Sequence, residues 1–244
     1  MRNLKLTIEY DGAGLCGWAR QKNGPSVQGH IERALKEILR EPIDVNGASR
    51  TDAGVHALAQ VASFQTDNAI STYGLRRGLN SHLPDEIAVI AADEVPPEFH
   101  ARFSSCGKHY RYAIYIRPER SPLQRLRAWH RPKPVDVPAM QRAAAQLVGQ
   151  HDFAGFQKSG SDAKTTIRTV TGVDVENQGE WVHVLARGNG FLRHMVRIVT
   201  GTLIDIGEGR LPPQVIAEVL ETGDRTRAGQ TAPAHGLTLI AVDY

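Results

Sequence analysis

The sequence predicts a mixed α/β (α+β) protein, and three observations carry that reading. Segments with period-two apolar alternation recur along the 244 residues. Segments with helical spacing lie between them, and no long linker separates the two kinds. This order fits an antiparallel or mixed sheet with helices packed on one face. The composition, 41% hydrophobic and 23% charged, is that of a folded chain with a substantial core.

The elements follow in order. Leu4-Lys5-Leu6-Thr7-Ile8-Glu9-Tyr10 alternates as a strand does, and reads as a strand rather than a signal peptide. A Gly-rich turn, Asp11-Gly12-Ala13-Gly14, comes next. A helix is expected from about Ser26, with Val27, Ile31, Ala34, Leu35, Ile38 and Leu39 on one face and Pro42 ending it. Two extended segments, Ile43–Val45 and Leu58–Phe64, then flank a polar turn. A short helix at Thr72–Leu79 and a strand at Ile87–Ala92 complete the first half, and Pro96-Pro97 marks a seam. The second half opens with alternating Tyr110, Tyr112, Ile114 and Ile116. A helix at Ala139–Val148 closes at Gly149, and strands follow at Arg168–Glu176 and Trp181–Ala186. A broad apolar helix carries Phe191, Leu192, Met195, Val196, Val199, Leu203 and Ile206 up to Gly207. Pro212-Pro213 starts a last helix, and Leu237–Val242 ends the chain as a strand.

The polar turn is the most informative segment. Ser49-Arg50-Thr51-Asp52-Ala53-Gly54-Val55-His56-Ala57 sets one carboxylate beside one guanidinium between extended apolar stretches. Asp-Ala-Gly is also ordinary turn chemistry. A lone Asp kept ionised by a neighbouring Arg suits a nucleophile or a partner for a developing cation.

Charge is distributed unevenly. The formal net charge is +3, yet between His100 and Lys133 nine cations (Arg102, Lys108, Arg111, Arg117, Arg120, Arg125, Arg127, Arg131, Lys133) face the single acid Glu119. Phe103, Tyr110, Tyr112, Tyr115 and Trp129 are interleaved with them. Cations for phosphates beside aromatic faces for unstacked bases make an RNA-contacting surface; a solvated strand pair has the same composition. Cys16 and Cys106 form no CxxC or Cys/His cluster, so neither a disulfide framework nor zinc is supported, and a reducing cytoplasm is expected. No apolar run approaches the roughly 20 residues of a bilayer span. No metal-ligand spacing appears among the ten histidines.

The Arg50-Thr51-Asp52-Ala53-Gly54-Val55-His56 stretch resembles the catalytic loop of the tRNA pseudouridine synthases of the TruA family. Further blocks match in order: Tyr10-Asp11-Gly12 with Gly17-Trp18 and Gln21, Ser26-Val27-Gln28, Gly78-Leu79-Asn80 with Leu83-Pro84-Asp85, and Phe99–Ser104. Then come Tyr110-Arg111-Tyr112, His151–Phe156, Gly190-Phe191-Leu192 with Met195-Val196-Arg197 and Gly201, and Gly236-Leu237. Cys16, Ala19 and Lys164 depart from the family pattern. Lys164 stands where Arg is usual, and Lys does not replace Arg at a bidentate phosphate site.

The resemblance implies a pseudouridine synthase fold of two pseudosymmetric halves, residues 1–98 with the catalytic loop and 99–244 completing the cleft and RNA-binding surface. They would form a largely antiparallel central sheet with helices packed on it. It implies isomerisation of uridine to pseudouridine in the anticodon stem-loop of tRNA, at about nucleotides 38–40, by a cytoplasmic homodimer with no cofactor, no metal and no membrane. Asp52 is then the catalytic carboxylate. Arg50 keeps it ionised and fills the space of a flipped base, Arg197 is a second cationic partner, and Tyr110 stacks on the uracil. Phe191 and Val55 are weaker candidates for the dry lining.

Other motifs lead elsewhere. Ser161-Asp162-Ala163-Lys164 fits the Ser-x-x-Lys pattern of serine acyl enzymes but lacks the companion motifs, so it reads as a loop. Gly188-Asn189-Gly190 lacks the third glycine of a dinucleotide site and reads as a turn. Two rivals stand beside the synthase: a non-catalytic RNA-binding module, which does not require Asp52, and a glycoside hydrolase, which needs a second carboxylate.

Overall fold

Alternation in the first ten residues becomes a buried strand. β1 (Arg2–Tyr10) buries Leu4, Leu6, Ile8 and Tyr10 and pairs antiparallel with β3 (His56–Thr66) on one edge and β4 (Ile87–Val95) on the other. The computed structural model describes residues 1–21, 24–160 and 163–244. It contains two compact units, Met1–Cys106 with Thr238–Tyr244, and Gly107–Leu237.

In the first unit the strand order is β4-β1-β3-β10. β10 (Leu237–Asp243) lies parallel to β3 through Thr238 and Leu239, and the two-residue β2 (Asn46–Gly47) pairs with Ser63 and Ala62 of β3. α1 (Val27–Leu39) starts where the Ser26 side chain accepts the Gly29 N–H, and it buries Ile31, Leu35 and Leu39. α2 (Thr72–His82) is capped in the same way by Ser71, buries Leu75 and Leu79, and packs on α1 and β4. The segment after Pro96-Pro97 stays with this unit for a local reason. The Asn3 amide donates to the carbonyls of Pro96 and Phe99, and Ser63 Oγ accepts the Ala101 N–H. The chain therefore changes unit at Cys106 and Gly107 and returns at Thr238.

The second unit has the order β5-β9-β8-β7, antiparallel throughout. These are β5 (Gly107–Ile116), β7 (Gly149–Asp152), β8 (Ile167–Gln178) and β9 (Trp181–Gly188), with β6 (Trp129–Arg131) parallel to β5. α3 (Val137–Ala145) packs on β8 and on α4 (Met195–Gly207). α4 buries almost its whole circumference, and Arg197 is its exception. α5 (Val215–Thr222) ends at Gly223. Both units thus combine largely antiparallel strands with helices.

Several boundaries differ from the sequence reading. The helix expected to include Phe191 and Leu192 begins at Met195, because His194 sits at φ 61°, ψ 3°, in the left-handed region where a right-handed helix does not continue. The helix expected to reach Val148 ends at Ala145, where Gln146 turns its N–H to Ala143 O in a tighter turn. Ile43–Val45 is loop rather than strand, with Ile43 and Val45 buried and Asp44 exposed, and Glu32 Oε1 accepts the Val45 N–H. β6 and β7 are too short to carry an alternating signal.

Candidate active site

The nine-residue polar stretch runs from just after β2 into the first two residues of β3 and is tied down along its length. The fully buried Gln60 side chain points back from β3: its amide donates to Ser49 O at 2.7 Å and accepts the Ser49 N–H at 3.2 Å. One residue before Asp52, Thr51 Oγ1 meets Tyr10 Oη at 2.7 Å, and Thr51 O accepts the Trp18 N–H at 3.1 Å. After Asp52 the chain turns, with Val55 N–H donating to Asp52 O and Gly54 at φ 79°, the position a type II turn reserves for glycine. Gly54 N–H donates to Leu15 O. A methyl group on Gly12 would come within 2.0 Å of Val55 O, so only glycine lets this backbone approach.

Asp52 is half-buried and Arg50 exposed, while Thr51, Val55 and His56 are buried. His56 Nδ1 accepts the Gly12 N–H at 3.1 Å and lies 3.1 Å from Asp11 Oδ1. The two contacts ask different things of Nδ1: without a hydrogen it accepts from Gly12, and with one it would donate to Asp11. The turn thus holds a carboxylate at the protein surface on a backbone with little freedom. That arrangement suits attack on, or charge stabilisation at, a chosen atom.

The other candidates lie in the second unit. Tyr110, on β5, is 7% exposed and meets Phe191 edge-on at 5.4 Å between ring centroids. Arg197 Nε donates to Ala232 O at 2.8 Å, Ala232 N–H donates to Arg197 O, and Arg197 Nη1 lies 3.4 Å from His194 Nε2. This guanidinium is clamped by the segment after α5 rather than waving in solvent. It opens on a cavity of about 720 Å³ lined by residues including Lys158, His194, Arg225 and Thr231, which the sequence reading missed. These residues are scattered over the turn after β7, the start of α4 and the loop after α5, and no local pattern joins them.

The basic stretch separates into parts. Of its interleaved aromatics, Tyr110, Tyr112, Tyr115 and Trp129 are buried and serve the core first; Phe103 is 76% exposed, with the Arg102 guanidinium 5.7 Å from its ring. Arg131 is paired with Glu208. Arg120 and Arg125 line a second cavity, of about 560 Å³, with Tyr115, Trp129 and His235. The Ser161-Asp162 half of the Ser-x-x-Lys motif lies outside the described residues. Among the described residues no group of His, Cys, Asp and Glu is arranged to hold a metal ion, and no helix is long and apolar enough to cross a membrane.

Comparison with known proteins agrees over the whole chain. The family model described as tRNA pseudouridine synthase matches residues 6–104 and 143–244. The chain is 48% identical over 245 residues to tRNA pseudouridine synthase A of Citrifermentans bemidjiense, covering 100% of this chain and 98% of the relative. It is 48% identical over 244 residues to the proteins of that name from Pelobacter propionicus and Acetivibrio thermocellus, with both chains fully covered in each case.

Proposed function

The chain belongs to the tRNA pseudouridine synthase family, and on that premise we propose that it isomerises uridine in the anticodon stem-loop of tRNA, at about positions 38–40, through Asp52 and without a cofactor. The observation that supports this most directly is the pinned turn: a half-buried carboxylate whose neighbours Ser49, Thr51 and Gly54 are bonded to β3, β1 and the segment between β1 and α1.

The reaction balances within the substrate. The N1–C1′ bond breaks, the uracil turns, C5 bonds to C1′, the C5 hydrogen leaves as a proton, and N1 gains one. Nothing is oxidised or transferred to a second molecule, so the chemistry calls for no redox group. Asp52 attacks C1′ or the ring, or takes the 2′ proton; all three routes need it ionised. Arg50 supplies the adjacent positive charge and follows the base into the stack it vacates. Tyr110 stacks on the detached uracil, a contact worth on the order of 1–3 kcal/mol, and Phe191 and Val55 help keep water from C1′. Arg197 binds the substrate through its guanidinium. In this reading residues 1–98 bring the carboxylate and residues 99–244 the stacking and RNA-binding groups, in a cytoplasmic homodimer.

The test is tritium release from a tRNA transcript labelled at C5 of uridine. Wild type releases tritium and Asp52→Asn does not. Binding without release by the wild type would favour an RNA-binding module, and free uracil would favour a hydrolase.

A further inference from the structure

The cavity beside Arg197 has the chemistry of an anion site. Lys158, Arg197 and Arg225 bring three cations to it, His194 adds an imidazole, and Thr231 adds a hydroxyl; no carboxylate is among its described lining residues. Arg225 is held in place by neutral acceptors, with Nη1 donating to Ala228 O and Nη2 to Thr231 Oγ1, both at 3.2 Å. Burial pushes its pKa down, and no carboxylate contributes to offset that effect. A partly buried guanidinium with neutral partners gains most from an incoming anion. The first turn of α4 also opens here. It starts without a side-chain cap, at a non-glycine residue in the left-handed region, and strain of that kind collects at binding sites.

We propose that this cavity seats a phosphodiester group of the bound RNA strand, with Lys158, Arg197 and Arg225 as its cationic walls. A volume of about 720 Å³ is in the range of sites that enclose a whole small ligand, so the sugar attached to that phosphate enters with it. The role is register: a phosphate locked in a fixed pocket stops the strand from sliding while one base is everted. The inference rests on the reading of the chain as a tRNA uridine isomerase.

The experiment measures binding of a tRNA transcript between 50 and 200 mM salt, together with kcat and KM from tritium release. Lys158 is exposed, so Lys158→Ala keeps the fold, and its melting temperature checks this. Expected is a salt slope shallower by about 0.7–0.9, as for one lost phosphate contact, and affinity lowered several-fold, with KM rising more than kcat falls. Arg225→Gln behaves alike, and Arg225→Lys restores the slope. Unchanged slopes and KM in Lys158→Ala and Arg225→Gln, with a wild type that still forms pseudouridine, would overturn the cavity and leave the isomerase standing. A wild type that forms none, yet whose slope falls in both variants, would keep the cavity and remove the isomerase. Uridine 5′-monophosphate is the second probe. If it binds the wild type tightly and loses that binding in Lys158→Ala while RNA binding stays the same, the cavity is a free-nucleotide site and the proposal fails.

Discussion

The turn around Asp52 and the cavity beside Arg197 hold their charges by opposite means. At the turn the backbone is fixed: Ser49, Thr51, Gly54 and Val55 are bonded to a buried amide, a tyrosine hydroxyl and main-chain groups. At the cavity the side chains themselves are braced, Arg197 on Ala232 O and Arg225 on Ala228 O, while Lys158 remains exposed. The difference fits the tasks proposed for the two regions. A carboxylate that must reach one atom loses rate steeply with displacement, whereas a cation that neutralises phosphate acts over several ångströms.

The largest expected effect is on the turn's own charge. Asp52→Asn keeps the side chain's shape and removes its negative charge, so kcat falls by on the order of 10⁴-fold or more, with little change in the melting temperature. The second prediction attacks the turn through its anchor. Gln60→Leu strips both amide contacts from Ser49; stability falls by about 1–3 kcal/mol. In the same variant kcat falls by roughly 10–100-fold, with KM almost unchanged. A KM that rises instead would mean that Gln60 serves RNA binding, and the contrast between the two regions would collapse. Tyr10→Phe is the milder version, removing one buried bond to Thr51. It should cost about 1 kcal/mol of stability and a few-fold in kcat, read by denaturant melts and single-turnover rates.

The smallest effect comes from a partly buried histidine in the second unit. Burial, and then the nearby Arg111 charge, lower the pKa of His183 below its ordinary value of 6.5. A depressed histidine stabilises the fold above its unfolded pKa. As pH falls below about 6.5, the unfolded chain takes up the proton first and that contribution is lost through the folded value. His183→Gln should therefore flatten the acid side of the melting-temperature profile between pH 7.5 and 5.5 and leave the rate at pH 7.5 unaltered.

Legibility from sequence tracked the range of the physics involved. Ser26 announces a helix start because a cap is a three-residue affair, and it caps as its helix begins; the structure adds the same kind of cap at Ser71. β1 was legible because its alternation is uninterrupted. His194 hid the true start of α4: apolar spacing runs on through Phe191 and Leu192, and nothing local declares a left-handed histidine. Gln60 stood in the sequence as one polar residue in an apolar run. Only the β3 register turns its amide inward onto a residue eleven positions earlier. Likewise the aromatics of the basic stretch looked available for bases, and the sheet of the second unit buried most of them.

The order of the longer elements, the glycine-bearing turn at Asp52 and the match to a family were properties of the sequence alone, because each depends on neighbours or on a string of motifs. Which groups hold that turn, which cations share a cavity and which aromatics are spent on the core were decided by tertiary structure. Those outcomes depend on strand register and on loops far apart along the chain, and no local spacing encodes them.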